Sequence, residues 1–181
     1  ELGLLAGQFQ EIHPLAISLL IYETNYFNDL TTREIVGLIS CFNNIKVSNE
    51  LKKISPSSDS ETLNILTNKL SSSLKNIYDM ELLYNINTGS SYDINFDIQN
   101  AILQWCDCNT EDECKNIIQN LNYESGIFIG EFIKAILKIN NIAYEISKAA
   151  EITNKIHLLE KINKIPDLTL KYVATNQSLY V

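Results

Sequence analysis

The sequence is short of residues that interrupt helices, with only 6 glycines and 3 prolines among 181 residues. Its apolar residues recur at three- and four-residue spacing far more often than they alternate, which indicates amphipathic helices rather than strands. A chain of this length buries about 70% of the surface that its unfolded form exposes, so it needs neither a disulfide nor a metal to fold. The sequence therefore predicts an all-α fold in a single domain.

Long apolar runs and an excess of basic residues are also missing. The longest nearly apolar stretch, Pro14 to Tyr22, is much shorter than the roughly 20 residues of a membrane-spanning helix, so we expect no membrane segment. The 14 basic residues are outnumbered by 22 acidic ones, and the net charge is −8. This charge argues against a broad basic surface for duplex nucleic acid but allows a narrow basic track.

Signatures of catalysis are absent as well, since the sequence contains no glycine-rich phosphate loop. Cys106, Cys108 and Cys114 could supply three thiolates to zinc, with His13 or Cys41 as a fourth ligand. Their spacing lacks the C-x2-C pairs of known zinc sites, and cysteine commonly packs in cores as a small apolar residue. We therefore expect that this chain is not itself an enzyme and that it holds neither a metal nor a cofactor.

Capping residues predict where the helices begin. Pro14 fits the first turn of a helix, where its missing N–H costs nothing. Thr31 and Thr110 each precede a glutamate by three residues, which is the pattern of a capping box. Ser58 and Glu61 repeat that pattern ahead of a long helix that should end near Leu83.

The remaining punctuation predicts two helical halves, residues 1–84 and 96–181, joined by a loop over residues 85–95. In the second half we expect a long central helix over about residues 126–152 and a short helix that Thr153 caps. A last helix should begin at Pro166 and end near Ser178. These elements make a single helical bundle of about seven or eight helices packed around Trp105 and Phe42.

The long helix has two different faces. Its apolar face consists of Phe132, Ile136, Ile139, Ala143, Ile146 and Ala150, and its opposite stripe consists of Lys134, Lys138, Asn141, Glu145 and Lys148. The stripe is either an ordinary solvated face or a contact surface for a charged ligand. Together with the helix that begins at Thr110, the long helix also forms a pair like a helix-turn-helix.

Four segments carry a resemblance to a known family. Residues 34–42 read EIVGLISCF, Trp105 follows an apolar helix, Gly130 to Ala150 forms the long helix, and residues 178–181 read SLYV. These segments resemble the family's E-I-V-A-L-L-S-C-F segment, its tryptophan, its G-x-x-x-R-x-x-R-R-L-x-E helix and its S-L-Y-L end. The family is the DSHCT domain, the C-terminal helical domain of DExH RNA helicases of the superkiller and nuclear-exosome-cofactor class.

In that family the domain is a helical bundle stacked under two helicase lobes, and its long ratchet helix touches the single strand that leaves the core. The resemblance places Lys134 and Lys138 at two of the family's arginines and Lys171 at a basic position near the end. With Asn141 on the same stripe as the first two, these are the expected RNA-binding residues. Lysine keeps the charge of arginine but lacks its planar fork, so phosphate contacts should persist better than base stacking.

Several positions depart from the family pattern. Leu137 stands at a basic position, Ile129 at a glutamate, and Asn140 and Asn141 at an acidic pair. Asn44, Ile45 and Lys46 stand where the family tends to have an aromatic residue, glutamine and glutamate. These departures fall on the long helix and on the segment after Phe42, and they bear on the details of the RNA contact.

The resemblance implies the non-catalytic C-terminal module of an ATP-dependent 3′-to-5′ RNA helicase that guides single-stranded RNA toward exosome-type decay or processing. ATP and Mg²⁺ belong to the helicase lobes of the parent chain, and those lobes and the RNA are the expected partners. A free-standing helix-turn-helix-like nucleic-acid binder and a helical protein-interaction scaffold remain alternatives. The cysteine pattern favours an intracellular, reducing compartment, either nucleus or cytoplasm. The many Asn and Ile residues suggest an A/T-rich coding sequence, which also suits a viral origin.

Overall fold

The chain is described here by a computed structural model that covers residues 1–173. Every regular element over these residues is an α-helix. The helices are α1 (Leu2–Ala6), α2 (Pro14–Glu23), α3 (Thr32–Ile39), α4 (Glu61–Leu83), α5 (Gln99–Asp107), α6 (Glu111–Ser125), α7 (Ile129–Ile152), α8 (Ile156–Ile162) and α9 (Ile165–Thr169). The predicted all-α bundle with one long helix is confirmed, and the short α1 adds a ninth helix to the eight that the sequence suggests.

The predicted capping boxes at α3 and α6 are confirmed. The Thr31 hydroxyl accepts the Glu34 N–H at 3.2 Å, and the Glu34 carboxylate accepts the Thr31 N–H at 2.8 Å. Thr110 and Glu113 make the same reciprocal pair before α6. Each box satisfies two amide donors that the helix itself leaves without acceptors.

Two other capping predictions are wrong. Ser60 rather than Ser58 caps α4, since its hydroxyl accepts the Leu63 N–H at 3.1 Å while the Ser58 hydroxyl bonds to Asn64. Thr153 does not cap α8, because it directly follows α7 and its hydroxyl donates back to the Ala149 carbonyl at 2.7 Å. In both cases the hydroxyl nearest along the chain bonds to the helix end, Ser60 to the start of α4 and Thr153 to the end of α7.

The last helix is shorter than expected. Pro166 lies in the first turn of α9, as predicted, but α9 ends at Thr169; Ser178, near which the prediction ends the helix, lies outside the described residues. The Thr169 carbonyl, which is free at this helix end, accepts the Trp105 indole N–H at 2.9 Å. The segment at residues 178–181 lies outside the described residues.

A left-handed turn follows the end of α2. Asn25, Tyr26 and Phe27 have φ values of 48°, 59° and 55°, a conformation that costs about 1–2 kcal/mol for each L-residue. The turn directs Tyr26 and Phe27 into the core, where both are buried. Lys161 of α8 donates to the carbonyls of Phe27 and Asn28, at 3.0 and 2.7 Å, and so fixes the turn from outside.

The core is centred on Trp105, which is fully buried and contacts Phe132 edge-to-face with 5.4 Å between ring centroids. Phe42 is buried in the same apolar cluster, as predicted, and residues from both sides of the 85–95 loop contribute to that cluster. Helices α3 and α5 approach closely, since a Cβ at Gly37 would lie 2.8 Å from Leu103 Cδ2. This packing fixes the segment after α3 against α5 and the long helix.

The cysteines differ in part from the expectation of simple core packing. Cys108 at the end of α5 and Cys114 near the start of α6 are paired as a disulfide, with 6.2 Å between their Cα atoms, because the short connection folds one helix end back on the other. Cys41 and Cys106 are buried free thiols. Within residues 1–173, no three His, Cys, Asp or Glu side chains come together as potential metal ligands. None of the helices in this range is long and apolar enough to cross a membrane.

Candidate nucleic-acid interface

The long helix α7 separates the core from a polar outer face. It runs for 24 residues from Ile129, and the carboxylate of Glu131 in its first turn accepts the Phe128 N–H at 3.1 Å. All six residues predicted for its apolar face are buried. The amphipathic pattern of the sequence is therefore correct for this helix, and the outer face lies where the stripe predicts it.

Lys134 and Lys138 lie one turn apart on α7, about 6 Å along the helix axis. They border a cavity of about 260 Å³ whose other wall is the segment Asn43–Asn44–Ile45 after α3. We call this cavity the α7 groove. Within residues 1–173 neither ammonium group has a carboxylate or carbonyl partner, so both charges are available to a ligand in the groove.

The segment 43–45 forms a ridge that a pair of side-chain amides holds in place. Asn43 Nδ2 donates to Asn95 Oδ1 at 2.9 Å, and Asn95 Nδ2 donates to Asn43 Oδ1 at 2.8 Å. Asn43 also donates to the Ser40 carbonyl, and the Asn95 N–H donates to the Cys41 carbonyl. The ridge is thus fixed both to the end of α3 and to the loop before α5.

A second depression of about 650 Å³ lies on the far side of this ridge and is lined in part by Lys46 and Lys52. Asp93 and Asp97 also line it, and Asp97 accepts the Lys53 N–H at 2.8 Å. The ridge therefore has two lysines on each side. Sequence analysis did not identify this grouping, because the segments that form it are far apart along the chain.

Several other basic residues have side-chain partners within the fold. Arg33 forms ion pairs with Asp59 and Asp107, at 3.0 and 2.8 Å. Burial lowers the pKa of Arg33, but the hydrogen bonds that its guanidinium donates to these two carboxylates raise the pKa above its ordinary value. Lys69, Lys115 and Lys148 form ion pairs with glutamates, and Lys161 donates to a backbone carbonyl. Lys134 and Lys138 differ from these residues in having no partner over the described range.

Lys171, the fourth expected RNA-binding residue, has a structural contact instead. Its ammonium group donates to the carbonyls of Cys106 and Cys108, each at 2.7 Å, at the C-terminal end of α5. A cation at this position satisfies carbonyls that the helix leaves free and interacts favourably with the helix dipole. Lys171 thus has a structural contact within the fold, and its expected role in RNA binding stays a prediction.

The polar stripe of α7 is only partly open. Asn141 is exposed, but Glu145 accepts the backbone N–H groups of Gln10 and Glu11 at 3.0 and 3.2 Å. Burial raises the pKa of Glu145, and these two backbone hydrogen bonds oppose the rise. The segment before α2 thus covers the stripe at Glu145, while Lys134 and Asn141 are exposed and Lys148 is partly exposed.

Comparison with known proteins identifies the domain. The family model of the DSHCT (NUC185) domain matches residues 1–173. A search of curated proteins finds no match. The DSHCT domain occurs in DExH helicases as a non-catalytic domain. Since the match covers nearly the whole chain, the chain belongs to the DSHCT (NUC185) domain family.

Proposed function

We propose that this chain is the C-terminal module of an ATP-dependent 3′-to-5′ RNA helicase and that its α7 groove guides single-stranded RNA leaving the helicase core. In this proposal the helicase lobes of the parent chain bind ATP and Mg²⁺, and the RNA passes on to exosome-type decay or processing. We place the module in the nucleus or cytoplasm, whose reducing conditions would keep Cys108 and Cys114 as two neighbouring thiols rather than as the disulfide. The observation that carries the proposal is the pair of unpartnered lysines, Lys134 and Lys138, on one wall of the groove.

The geometry supports contact with a nucleic-acid backbone. Proteins that bind single strands without sequence preference use a positively charged groove that follows the phosphates. In a chain with a net charge of −8, Lys134 and Lys138 outnumber Glu131, the acidic residue that lines the same groove, and give the groove a net positive charge that a phosphate can exploit. Asn141, one turn beyond Lys138, adds an exposed amide that can donate to phosphate or sugar oxygens.

The test is a salt titration of binding to short single-stranded oligouridine, measured by fluorescence anisotropy. We expect Lys134→Ala and Lys138→Ala each to weaken binding and to reduce the slope of log affinity against log salt by about 0.7, the value for one phosphate contact on a single strand. The double variant should reduce it by about 1.4. Thermal stability should change by less than about 0.5 kcal/mol, since both substitutions lie on the surface.

Lys75→Ala is the matched control, because Lys75 is an exposed lysine of α4 that does not line the groove. It changes the net charge by the same amount as either groove variant. If Lys75→Ala reduces the affinity and the slope as much as Lys134→Ala does, the effect is one of total charge and the proposal is wrong. Unchanged binding in the double variant would contradict it equally.

An exposed apolar cluster supports a second candidate, the protein-interaction scaffold. The end of α4 and the residues after it carry Leu82, Leu83, Tyr84 and Ile86, each more than half exposed. Exposed apolar patches of this kind mark interaction surfaces. If the groove variants bind RNA normally while Leu83→Ser weakens assembly with the helicase lobes, the scaffold function is favoured.

A further inference from the structure

Cys108 and Cys114 lie beside each other where α5 ends and α6 begins. Their Cα atoms are 6.2 Å apart, a separation that a disulfide spans without movement of the backbone. The capping box of Thr110 and Glu113 fixes the turn of the chain between the two cysteines. The fold therefore holds the two sulfurs close enough to be joined while both helices stay in place.

Solvent reaches this pair from the Cys108 side. Cys108 lines a depression of about 370 Å³ between α5 and α6, together with Gln104 and Asn116. The exposed fraction of Cys108 is 6%, whereas Cys114 is fully buried. A small oxidant can therefore reach the Cys108 sulfur, while the protein covers the Cys114 sulfur.

The charges around Cys108 favour the thiolate, which is the form of cysteine that reacts with oxidants. The Lys171 ammonium group donates to the Cys108 carbonyl at 2.7 Å, and a cation so near stabilises a thiolate. Two neighbouring carboxylates already have partners. Asp107 pairs with Arg33 at 2.8 Å, and Glu113 accepts backbone N–H groups ahead of α6. Their negative charges are thus partly balanced within the fold.

The other two cysteines are less suited to oxidation. Burial raises the pKa of Cys41 to about 12, and burial likewise raises the pKa of Cys106 to about 12 although the Lys171 charge lowers it. Both are free thiols, and neither lines the depression. We therefore expect both to stay protonated at neutral pH, even though Cys106 is only two residues from Cys108.

We propose that Cys108 and Cys114 are a redox modification site at which hydrogen peroxide converts two thiols into a disulfide. The Cys108 thiolate attacks one peroxide oxygen, so an S–O bond forms, the O–O bond breaks, and the second oxygen leaves as hydroxide and takes a proton to become water. Cys108 is then a sulfenic acid. The Cys114 sulfur attacks the Cys108 sulfur, an S–S bond replaces the S–O bond, and the oxygen leaves with the Cys114 proton as a second water. Two thiols lose two electrons, and one peroxide is reduced to two waters.

This inference does not depend on the α7 groove, since neither cysteine lines it. In a reducing compartment the resting form is the dithiol, and disulfides that form there are commonly transient and redox-sensing. Thiol–disulfide exchange with a dithiol reductant restores the resting form. The site is therefore a reversible one.

Oxidation fixes the connection that the end of the described chain contacts. Tyr172 donates to the Asn109 carbonyl at 2.8 Å, next to the contacts of Lys171 with the end of α5. The disulfide joins residues with a sequence separation of 6, and the entropy of closing such a loop predicts a rise in Tm of about 4–9 °C for a chain of this size. We expect the oxidised chain to show this rise.

Peptide mapping tests the proposal on the unmodified chain. The reduced chain is treated with hydrogen peroxide at neutral pH, the remaining thiols are alkylated, and the chain is cleaved before its aspartates. This cleavage places Cys106, Cys108 and Cys114 on three separate peptides, residues 97–106, 107–111 and 112–166. We expect the second and third peptides to be joined with the loss of two hydrogens and to separate again after treatment with dithiothreitol.

Two variants and one internal control complete the experiment. Cys106→Ser is the matched control and should form the same bond, whereas Cys108→Ser should form no disulfide and show no rise in Tm on oxidation. Met80 is exposed, so it should gain one oxygen and show that the peroxide was effective.

Three results would overturn the proposal. The first is a folded chain in which Met80 is oxidised while Cys108 and Cys114 stay thiols. The second is a bond from Cys114 to Cys106 instead of Cys108, and the third is oxidation of Cys108 to a sulfinic acid without a disulfide. Because the mapping uses the parent chain, these outcomes are decisive even if a variant does not fold.

Discussion

Replacement of Lys171 tests most directly whether contacts or sequence position decide the role of a lysine in this domain. Its ammonium group donates two 2.7 Å hydrogen bonds to carbonyls at the end of α5. Hydrogen bonds to a charged group contribute about 1.5–3 kcal/mol each, and ordering a lysine side chain costs up to about 2 kcal/mol. Because Lys171→Ala returns the two carbonyls to water, we expect a net loss of about 2 kcal/mol in the free energy of unfolding, or about 4–8 °C in Tm.

Urea denaturation followed by fluorescence is a suitable assay, since Trp105 is the single tryptophan and is fully buried. The midpoint should fall while the slope m stays constant, because the surface exposed on unfolding is almost unchanged. Lys171→Met, which keeps the apolar stem and removes the charge, should lose most of the same stability. Lys134→Ala, the comparison on α7, should stay within about 0.5 kcal/mol of the parent chain.

One pattern of results would refute this reasoning. It is a Lys171→Ala variant as stable as the parent chain but with weaker RNA binding and a shallower salt dependence. The Lys171 side chain would then be available to RNA, as the family resemblance implies, and the contacts with α5 would contribute nothing to stability.

Three further predictions concern the fold. Burial raises the pKa of Glu34, but hydrogen bonds from Ser60 and Thr31 outweigh this effect and lower the pKa below the ordinary 4.5. The stability that this carboxylate contributes is therefore present above the unfolded-state pKa and is lost as the pH falls through the folded-state pKa. Glu34→Gln should therefore flatten the fall of Tm below about pH 4.5, and an unchanged acid limb would contradict this. Burial raises the pKa of Cys41 to about 12, so alkylation at neutral pH, followed by mass spectrometry, should modify it only on unfolding, and fast labelling of the folded chain would show otherwise. Gly126 has φ of 69° with open space around it, so Gly126→Ala should cost about 1 kcal/mol in urea denaturation and Gly126→Asn less, whereas equal costs would indicate a steric effect.

Local patterns of the sequence were sufficient for much of the fold. The capping boxes at Thr31 and Thr110 involve groups three residues apart, and helical periodicity assigned the buried face of α7. These features depend on neighbours along the chain, so they can be inferred without tertiary structure. The error at Ser58 arose because two serines, Ser58 and Ser60, precede the same helix, and the error at Thr153 arose because its hydroxyl bonds back to α7.

Distant partners explain what could not be predicted. The Asn43–Asn95 pair that fixes the ridge joins residues 52 apart, and the contact between Glu145 and Gln10 spans 135 residues. The difference between Lys134 and Lys171 likewise depends on carbonyls more than 60 residues from Lys171. The sequence alone shows two similar lysines and does not show which of them is hydrogen-bonded within the fold.

The left-handed turn at residues 25–27 has a consequence for how the chain folds during its synthesis. Tyr26 and Phe27 adopt this costly conformation in a folded core, and Lys161, which holds the carbonyls of Phe27 and Asn28, follows them by more than 130 residues. The contacts that offset this cost are therefore absent when residues 25–27 leave the ribosome, so we expect the turn to form later. The end of α2 becomes fixed only after α8 has been synthesised, so the packing of the N-terminal helices is completed only when nearly all of the described chain has been made.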